Sequence, residues 1–301
     1  MIERTFLLGE IKEYLETRVD LFIFGVGEDD RDKFLRNLFT AACPKKSLVL
    51  CYDVERETFS IGGAATEYDL KRDLHSILKD YIKEPNYNLF LDITTLPVPF
   101  IFYMLLSLQE FKPIRVFCGY TTPLTYKKND DFDAFDLTEK FIGIKTIPGY
   151  LRSDKLNRNR LLVMLLGYEG DRSRHIYEEV STGDHFIPII GLPGYQPGWH
   201  DTSYEVNLEL IRETNSKDYT IYLAAESPFE VIDTLRSLQL RNKDKYLVIS
   251  PLSTKALTLG VALYSLQDTE NCSIIFDNPI DSKTRTTGVG KSYIYDVTEL
   301  F

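Results

Sequence analysis

The sequence predicts an α/β protein of mostly parallel sheets flanked by helices, arranged as two related halves. Three features point there. Short apolar runs of strand length recur along the chain, as rich in Ile, Val, Leu and Phe as strands buried on both faces are. Longer stretches with helical spacing separate them, the alternation expected of βαβ units. Two pairs of segments also echo each other, in the same order, in the two halves of the chain.

In the N-terminal part the strand candidates are Asp20–Val26 (DLFIFGV), Ser47–Tyr52 (SLVLCY), Asn88–Ile93 (NLFLDI) and Ile114–Gly119 (IRVFCG). Between the first two, Phe34, Leu35, Leu38 and Phe39 give Asp32–Phe39 one apolar helical face. Thr66–Ile82 has the same character, with Leu70, Leu74, Ile77, Leu78, Tyr81 and Ile82. Val98–Leu108 is the most apolar stretch, but it is far short of the roughly 20 residues of a membrane span and Pro99 interrupts it. It is expected to be a buried helix. In the C-terminal part the strand candidates are Arg160–Gly167, His185–Gly191, Tyr219–Ala224, Lys245–Ser250 and Cys272–Phe276, with a helix over Phe229–Leu240. The Gly/Thr-rich stretch Arg285–Lys291 is expected to be a mobile loop, and Tyr293–Val297 a final edge strand.

The first echo pairs residues 88–120 with 245–278. Each is strand, polar turn, apolar helix ending in Ser-Leu-Gln, short loop, strand; Ser107-Leu108-Gln109 matches Ser265-Leu266-Gln267. The second pairs 21–35 with 162–176 and matches Asp30-Arg31 to Asp171-Arg172. Together they predict an internal duplication. The expected parts are a Rossmann-like half over 1–125, a connecting segment over 126–158 and a second Rossmann-like half over 159–301. The middle of the connection is open between a strand pair and a flexible crossover.

Composition bounds the function. The 301 residues carry a net charge of −10, spread evenly over both halves, so neither half is a basic module. A footprint on duplex nucleic acid needs clustered Lys and Arg and is not expected; a small basic pocket for one phosphorylated ligand remains open. The N-terminal sequence lacks the apolar core of a signal peptide, Thr5–Gly9 being its longest apolar run. Cys43, Cys51, Cys118 and Cys272 form no C-x-x-C pair, so no zinc or dithiol site is expected. A cytoplasmic protein without a membrane partner follows as the expectation; a protein partner or homodimer stays open.

In an open parallel sheet ligands bind beyond the carboxyl ends of the strands. That selects the turns Gly25–Arg31, Asp92–Pro97, Gly167–Arg172 and Ser250–Lys255. Neither glycine-containing turn has the third glycine of a dinucleotide fingerprint. Two readings fit them: Asp30 and Asp171 cap the following helices, or Arg31, Arg172 and Arg174 reach a shared cleft and hold an anion. In Ser250–Lys255 a strand ends and a helix begins. Ser253 and Thr254 bring hydroxyls and N–H groups to the helix start, where the dipole favours an anion, and Lys255 adds a cation there. The same residues also suit an ordinary N-cap with a solvated lysine. Thr94 and Thr95 keep the hydroxyls in the counterpart turn, without the lysine. The loop 191–201 offers Tyr195 and Trp199 as flat stacking surfaces, or as packing for an ordered loop.

Ser253-Thr254-Lys255, after a strand and opening an apolar helix, resembles the G-T-K signature of CRISPR-associated Rossmann-fold (CARF) domains, with Ser253 in place of the glycine. Two such units in one chain resemble the SAVED arrangement of cyclic-nucleotide-based antiphage defence. The resemblance implies a cyclic oligonucleotide bound in a pocket at the strand ends.

Catalytic signatures are sparse. His75, His175, His185 and His200 are scattered, and no H-E-x-x-H or G-x-S-x-G occurs. The first expectation is therefore a sensor for a nucleotide or other phosphorylated ligand, using Ser253, Thr254, Lys255, Asp171, Arg172, Thr94, Thr95, Tyr195 and Trp199. No cofactor is indicated. One alternative is an enzyme acting on a nucleotide or glycosyl phosphate through Asp171, Glu226 or His200. Another is a non-catalytic subunit of a larger defence or regulatory complex.

Overall fold

The computed structural model describes residues 4–27, 29–43, 46–82, 87–128, 135, 137–147, 159–181, 183, 185–268, 270–282 and 285–301. The chain divides into two compact units, residues 1–126 with 283–301 and residues 127–282.

The first unit opens with β1 (Thr5–Leu7), α1 (Leu8–Arg18), β2 (Leu21–Gly25) and α2 (Asp30–Ala42). There follow β3 (Ser47–Asp53), β4 (Thr58–Ile61), β5 (Tyr68–Asp69), α3 (Leu70–Tyr81), β6 (Asn88–Asp92), α4 (Val98–Phe111) and β7 (Arg115–Tyr126). All five residues of β2 are buried. Phe22 of β2 stacks on Phe39 of α2, with ring centroids 4.7 Å apart, and Phe90 of β6 lies 5.2 Å from Phe39. The apolar residues that define these elements in sequence thus form one aromatic core. α3 starts at Leu70 rather than Thr66 because the Asp69 carboxylate accepts hydrogen bonds from the Lys71 and Arg72 N–H groups and caps it there. Pro99 does not break α4. It sits in the first turn, where a missing N–H costs nothing.

In the second unit β8 (Thr138–Phe141) and β9 (Lys145–Thr146) precede β10 (Arg160–Leu166), α5 (Gly170–Val180), β11 (His185–Gly191), α6 (Trp199–Val206) and α7 (Leu208–Glu213). β12 (Ile221–Leu223), α8 (Pro228–Arg241), β13 (Tyr246–Pro251), α9 (Lys255–Gln267), β14 (Cys272–Phe276) and β15 (Pro279–Asp281) complete it. The sheet order is β12-β11-β10-β13-β14-β9, parallel throughout except for β9 at the edge. α9 is buried on every side from Ala256 to Leu266, as its mostly apolar sequence requires, and the buried Thr258 and Ser265 hydroxyls donate to carbonyls of the helix itself. The connecting segment does contain strands, but they do not pair with each other: β8 pairs with β15 and β9 with β14.

The chain then returns to the first unit as β16 (Thr286–Asp296), antiparallel to β7. This corrects three expectations. The stretch 285–291 is largely strand rather than mobile loop, and the tail does not belong to a C-terminal half running over 159–301. β16 is also no edge strand, since β1 pairs on its outer side. The reason lies in β7. Its first residues pair with β6, but Tyr120–Tyr126 run beyond β6, and β16 supplies the hydrogen bonds that stretch would otherwise lack. The first sheet is ordered β1-β16-β7-β6-β2-β3-β4-β5, with β7-β6-β2-β3 parallel. Taken separately, the runs β3-β2-β6-β7 and β11-β10-β13-β14 have the same order: the first strand in sequence is inside, the second lies on one side of it, and the next two lie on the other. The second core adds a fifth parallel strand, β12, outside β11. No helix among the described residues is long and apolar enough to cross a membrane.

Candidate functional site

β10, β11 and β13 are parallel neighbours, so the turns that follow them share one edge of the second sheet. Gly167, Tyr195, Trp199, Ser253 and Lys255 all lie in or just beyond these turns. Gly167 lets two of the turns touch. A Cβ on it would stand 2.3 Å from the Leu252 carbonyl oxygen. The Gly167 carbonyl is pinned from the other side by Ser203 Oγ and Asn207 Nδ2, each donating at 3.0 Å.

Thr254 is the N-cap of α9. Its hydroxyl accepts from the Leu257 N–H at 3.2 Å and donates to the Ala225 carbonyl at 2.8 Å, so both roles of that oxygen are spent on the fold. Ser253 and Lys255 on either side are half-buried. Lys255 is the first residue of α9. Tyr195 donates its hydroxyl to the same Ala225 carbonyl, at 2.9 Å, and this ties the loop after β11 to the turn after β12. Trp199 packs edge-to-face against Tyr168, with centroids 6.0 Å apart, and against Phe135 at 5.6 Å.

Arg172 does not stand ready for an anion. Its Nε and Nη2 donate to Asp277 at 2.8 and 2.7 Å, and its Nη1 donates to Glu169 at 3.1 Å. Asp277 is fully buried just beyond β14. The guanidinium therefore ties the start of α5 to the chain just beyond β14. Arg174 is likewise engaged, with Glu209 and Glu213 each 3.1 Å away. Asp171 is exposed in the first turn of α5, whose N-cap is Glu169, so Asp171 is not the cap. Among the alternative catalytic candidates, Glu226 is half-buried in the turn after β12, and His200 Nε2 lies 3.4 Å from Asp201. His175 faces the Phe141 ring at 6.4 Å.

Thr94 and Thr95 belong to the first unit, and their hydroxyls brace its turns. Thr94 Oγ1 accepts from the Thr121 N–H at 2.9 Å, and Thr95 Oγ1 from the Gly25 N–H at 2.7 Å. At the end of β2 the cap of α2 is Asp29, not Asp30. Asp29 also holds the buried Arg31 at 2.6 Å and accepts from Thr286 in β16. Gly288 of the same strand donates its N–H to Asp30 at 2.9 Å. Burial by itself pushes the Asp29 carboxyl up, but the hydrogen bonds and charge of Arg31, with Thr286, outweigh it and hold the group below the ordinary 3.8. Its contribution to stability is thus present above that pH and lost as pH falls through the lower folded value. The stability gap between the wild type and Asp29→Asn is expected to be constant above about pH 5 and to close as pH falls toward 2. Urea titrations across that range measure it; a gap that does not change below pH 3.8 would contradict the assignment.

Sequence reasoning missed Tyr168, Phe135, Glu169 and Asp277. Tyr168 and Glu169 lie inside a selected turn, and Asp277 directly follows a predicted strand, so position alone could have flagged these three. Phe135 is hidden in the acidic stretch Asp130–Asp136 and carried no such signal.

What the chain presents is an α/β protein with a parallel second sheet, whose strand-end edge carries a lysine-initiated helix and a pair of aromatic rings. No protein-family model matches the chain, and no curated protein matches its sequence.

Proposed function

We propose that this chain is a cytoplasmic sensor that binds a nucleotide or another phosphorylated small molecule at the strand ends of its second unit. The observation that carries the reading is the start of α9. Lys255 puts a cation at the helix end where the dipole disfavours one and favours an anion, on a central strand of a parallel sheet. The Tyr168 and Trp199 rings on the same edge supply stacking surface for a base. Thr254, Tyr195 and Arg172 act as positioning residues in this reading, because their polar atoms hold the turns. Ser253, Lys255 and the backbone N–H groups between them are the ligand contacts.

The resemblance to CARF and SAVED proteins narrows the proposed ligand to a cyclic oligonucleotide and the proposed setting to antiphage defence. Internal duplication belongs to the same proposal. It is supported by the order shared by the four-strand runs β3-β2-β6-β7 and β11-β10-β13-β14 and by the place of the two Ser-Leu-Gln triplets, each near the end of the helix that joins the last two strands of its run.

Lys255→Ala tests the reading. A charge-assisted contact is worth about 1.5–3 kcal/mol, so affinity for the ligand is expected to fall on the order of tenfold or more and to lose salt sensitivity. Stability without ligand is expected to stay level or rise slightly, because a cation leaves the positive end of a helix. The probes are AMP and linear and cyclic oligoadenylates, titrated by calorimetry. Equal affinities would remove Lys255 from the site. Binding of none of them by the wild type would favour a partner subunit with a vestigial cleft.

A further inference from the structure

We infer that this chain forms a symmetric homodimer in which β12 of one copy pairs antiparallel with β12 of another, about a two-fold axis at Tyr222. The inference concerns the outer edge of the second sheet and does not rest on the proposed nucleotide site.

β12 is the outermost strand of the second sheet and pairs with β11 alone. Its register fixes which backbone groups point outward. The Leu192 N–H donates to the Leu223 carbonyl at 2.6 Å. Along a strand the residues alternate between facing one neighbour and facing away from it, so Ile221 and Leu223 face β11, and Thr220, Tyr222 and Ala224 face out. Both ends of that outer row are engaged within the chain. At one end the Thr220 N–H donates to the Lys217 carbonyl at 3.3 Å. At the other the Ala224 N–H donates to the Glu230 carboxylate at 3.0 Å, and the Ala224 carbonyl accepts from the Ser227 N–H at 2.9 Å. Among the described residues of this row, Tyr222 alone keeps both its N–H and its carbonyl without a hydrogen-bond partner.

One open residue selects the occupant. A peptide that extends a sheet uses a row of alternate open groups, and this edge does not offer such a row. In an antiparallel ladder, by contrast, two directly opposed residues exchange both N–H···O bonds. Tyr222 opposite Tyr222 of a second copy therefore satisfies both N–H groups and both carbonyls at once. The same patch meets itself, so the contact closes as a two-fold dimer and does not grow into a fibre. The side chains agree. Among the described residues of the second unit the exposed large apolar side chains are Phe141, Leu192, Tyr219, Tyr222 and Leu240, and three of these lie on β12 or beside it. Tyr219 is 58% and Tyr222 48% exposed, and Leu192 is bonded to the end of β12. Across the axis the two Tyr222 rings become direct cross-strand neighbours, a favourable aromatic pair. Strands of three residues make a small interface, so the dimer is expected to be reversible and concentration-dependent.

Sedimentation velocity over a concentration range on the order of a hundredfold tests it. The wild type is expected to pass from monomer to dimer. Tyr222→Lys sets like charges directly opposite each other across the axis, and Tyr222→Pro removes the outward N–H at an edge position, where proline is tolerated. Both are expected to stay monomeric throughout. Unfolding followed through Trp199, the single tryptophan of the chain, is expected to show both folded. Tyr222→Cys is the second measurement. The Cα atoms of a hydrogen-bonded antiparallel pair are about 5.5 Å apart, within disulfide reach. Under mild oxidation Tyr222→Cys is expected to form a covalent dimer, and Leu240→Cys, exposed at the end of α8, is not. If Tyr222→Pro unfolds, the lysine and cysteine variants decide. A wild type that stays monomeric overturns the inference and leaves the edge to a strand of another protein. Wild-type dimerisation in Tyr222→Lys, or crosslinking of Leu240→Cys as fast as Tyr222→Cys, also overturns it by placing the contact elsewhere.

Discussion

Arg172→Ala is expected to destabilise the second unit by about 3–5 kcal/mol, the cost of leaving a buried charge without its partner. Asp277 is fully buried and takes two hydrogen bonds from this one guanidinium, which also lies 5.9 Å from the face of Phe276. Burial alone would push the Arg172 guanidinium down, but its carboxylate partners Asp277 and Glu169 outweigh that and hold it charged. Denaturant unfolding followed through Trp199 reports on this unit specifically. Replacing both partners, Arg172→Met with Asp277→Leu, is expected to recover much of the loss, because apolar groups of similar volume often substitute for a buried pair at little cost. A single-variant loss below about 1 kcal/mol would mean the pair is solvated and the tie between α5 and β14 unimportant.

Gly167→Ala is expected to cost about 2 kcal/mol or more and, on the proposed nucleotide site, to weaken binding beyond its effect on stability. The added Cβ would meet the Leu252 carbonyl oxygen at 2.3 Å and its carbon at 3.3 Å, both backbone atoms that no rotamer change can move. Relief requires the turns after β10 and β13 to part, and Ser203 and Asn207 oppose that by holding the Gly167 carbonyl. Parting them moves Tyr168 relative to Lys255, the two contacts a base and its phosphate would need at once. The check is the Trp199-monitored unfolding midpoint together with calorimetric affinity for the probe that the wild type binds. Unchanged stability would show that the turns separate freely.

The core strands were legible in the sequence because each is a short apolar run whose burial on both faces leaves a local signature. β2, β6, β10, β11, β13 and β14 all fall within or close to the predicted runs. The four selected turns were legible for the same reason, since a strand end followed by a polar turn and a helix marks the ligand edge of a parallel sheet. The roles of residues within the turns were less so. Asp30 and Asp29, or Asp171 and Glu169, differ by a residue or two, and which carboxylate caps depends on backbone angles that residue type does not determine. Short or exposed strands such as β5, β8, β9 and β15 lack an apolar run altogether, because pairing alone makes them strands.

Sequence by itself determined the α/β class, the order of the buried strands and helices, and the place of Lys255 at a helix start. These are local properties, written in periodicity and in the few residues around a turn. Tertiary structure alone decided that the tail pairs with β7 as β16, that Arg172 belongs to Asp277, 105 residues away, and that Phe135 sits against Tyr168 and Trp199. Each joins groups far apart in the chain. An arginine that binds a phosphate and one that neutralises a buried carboxylate are the same letter; which it does depends on what folding places within 3 Å of it.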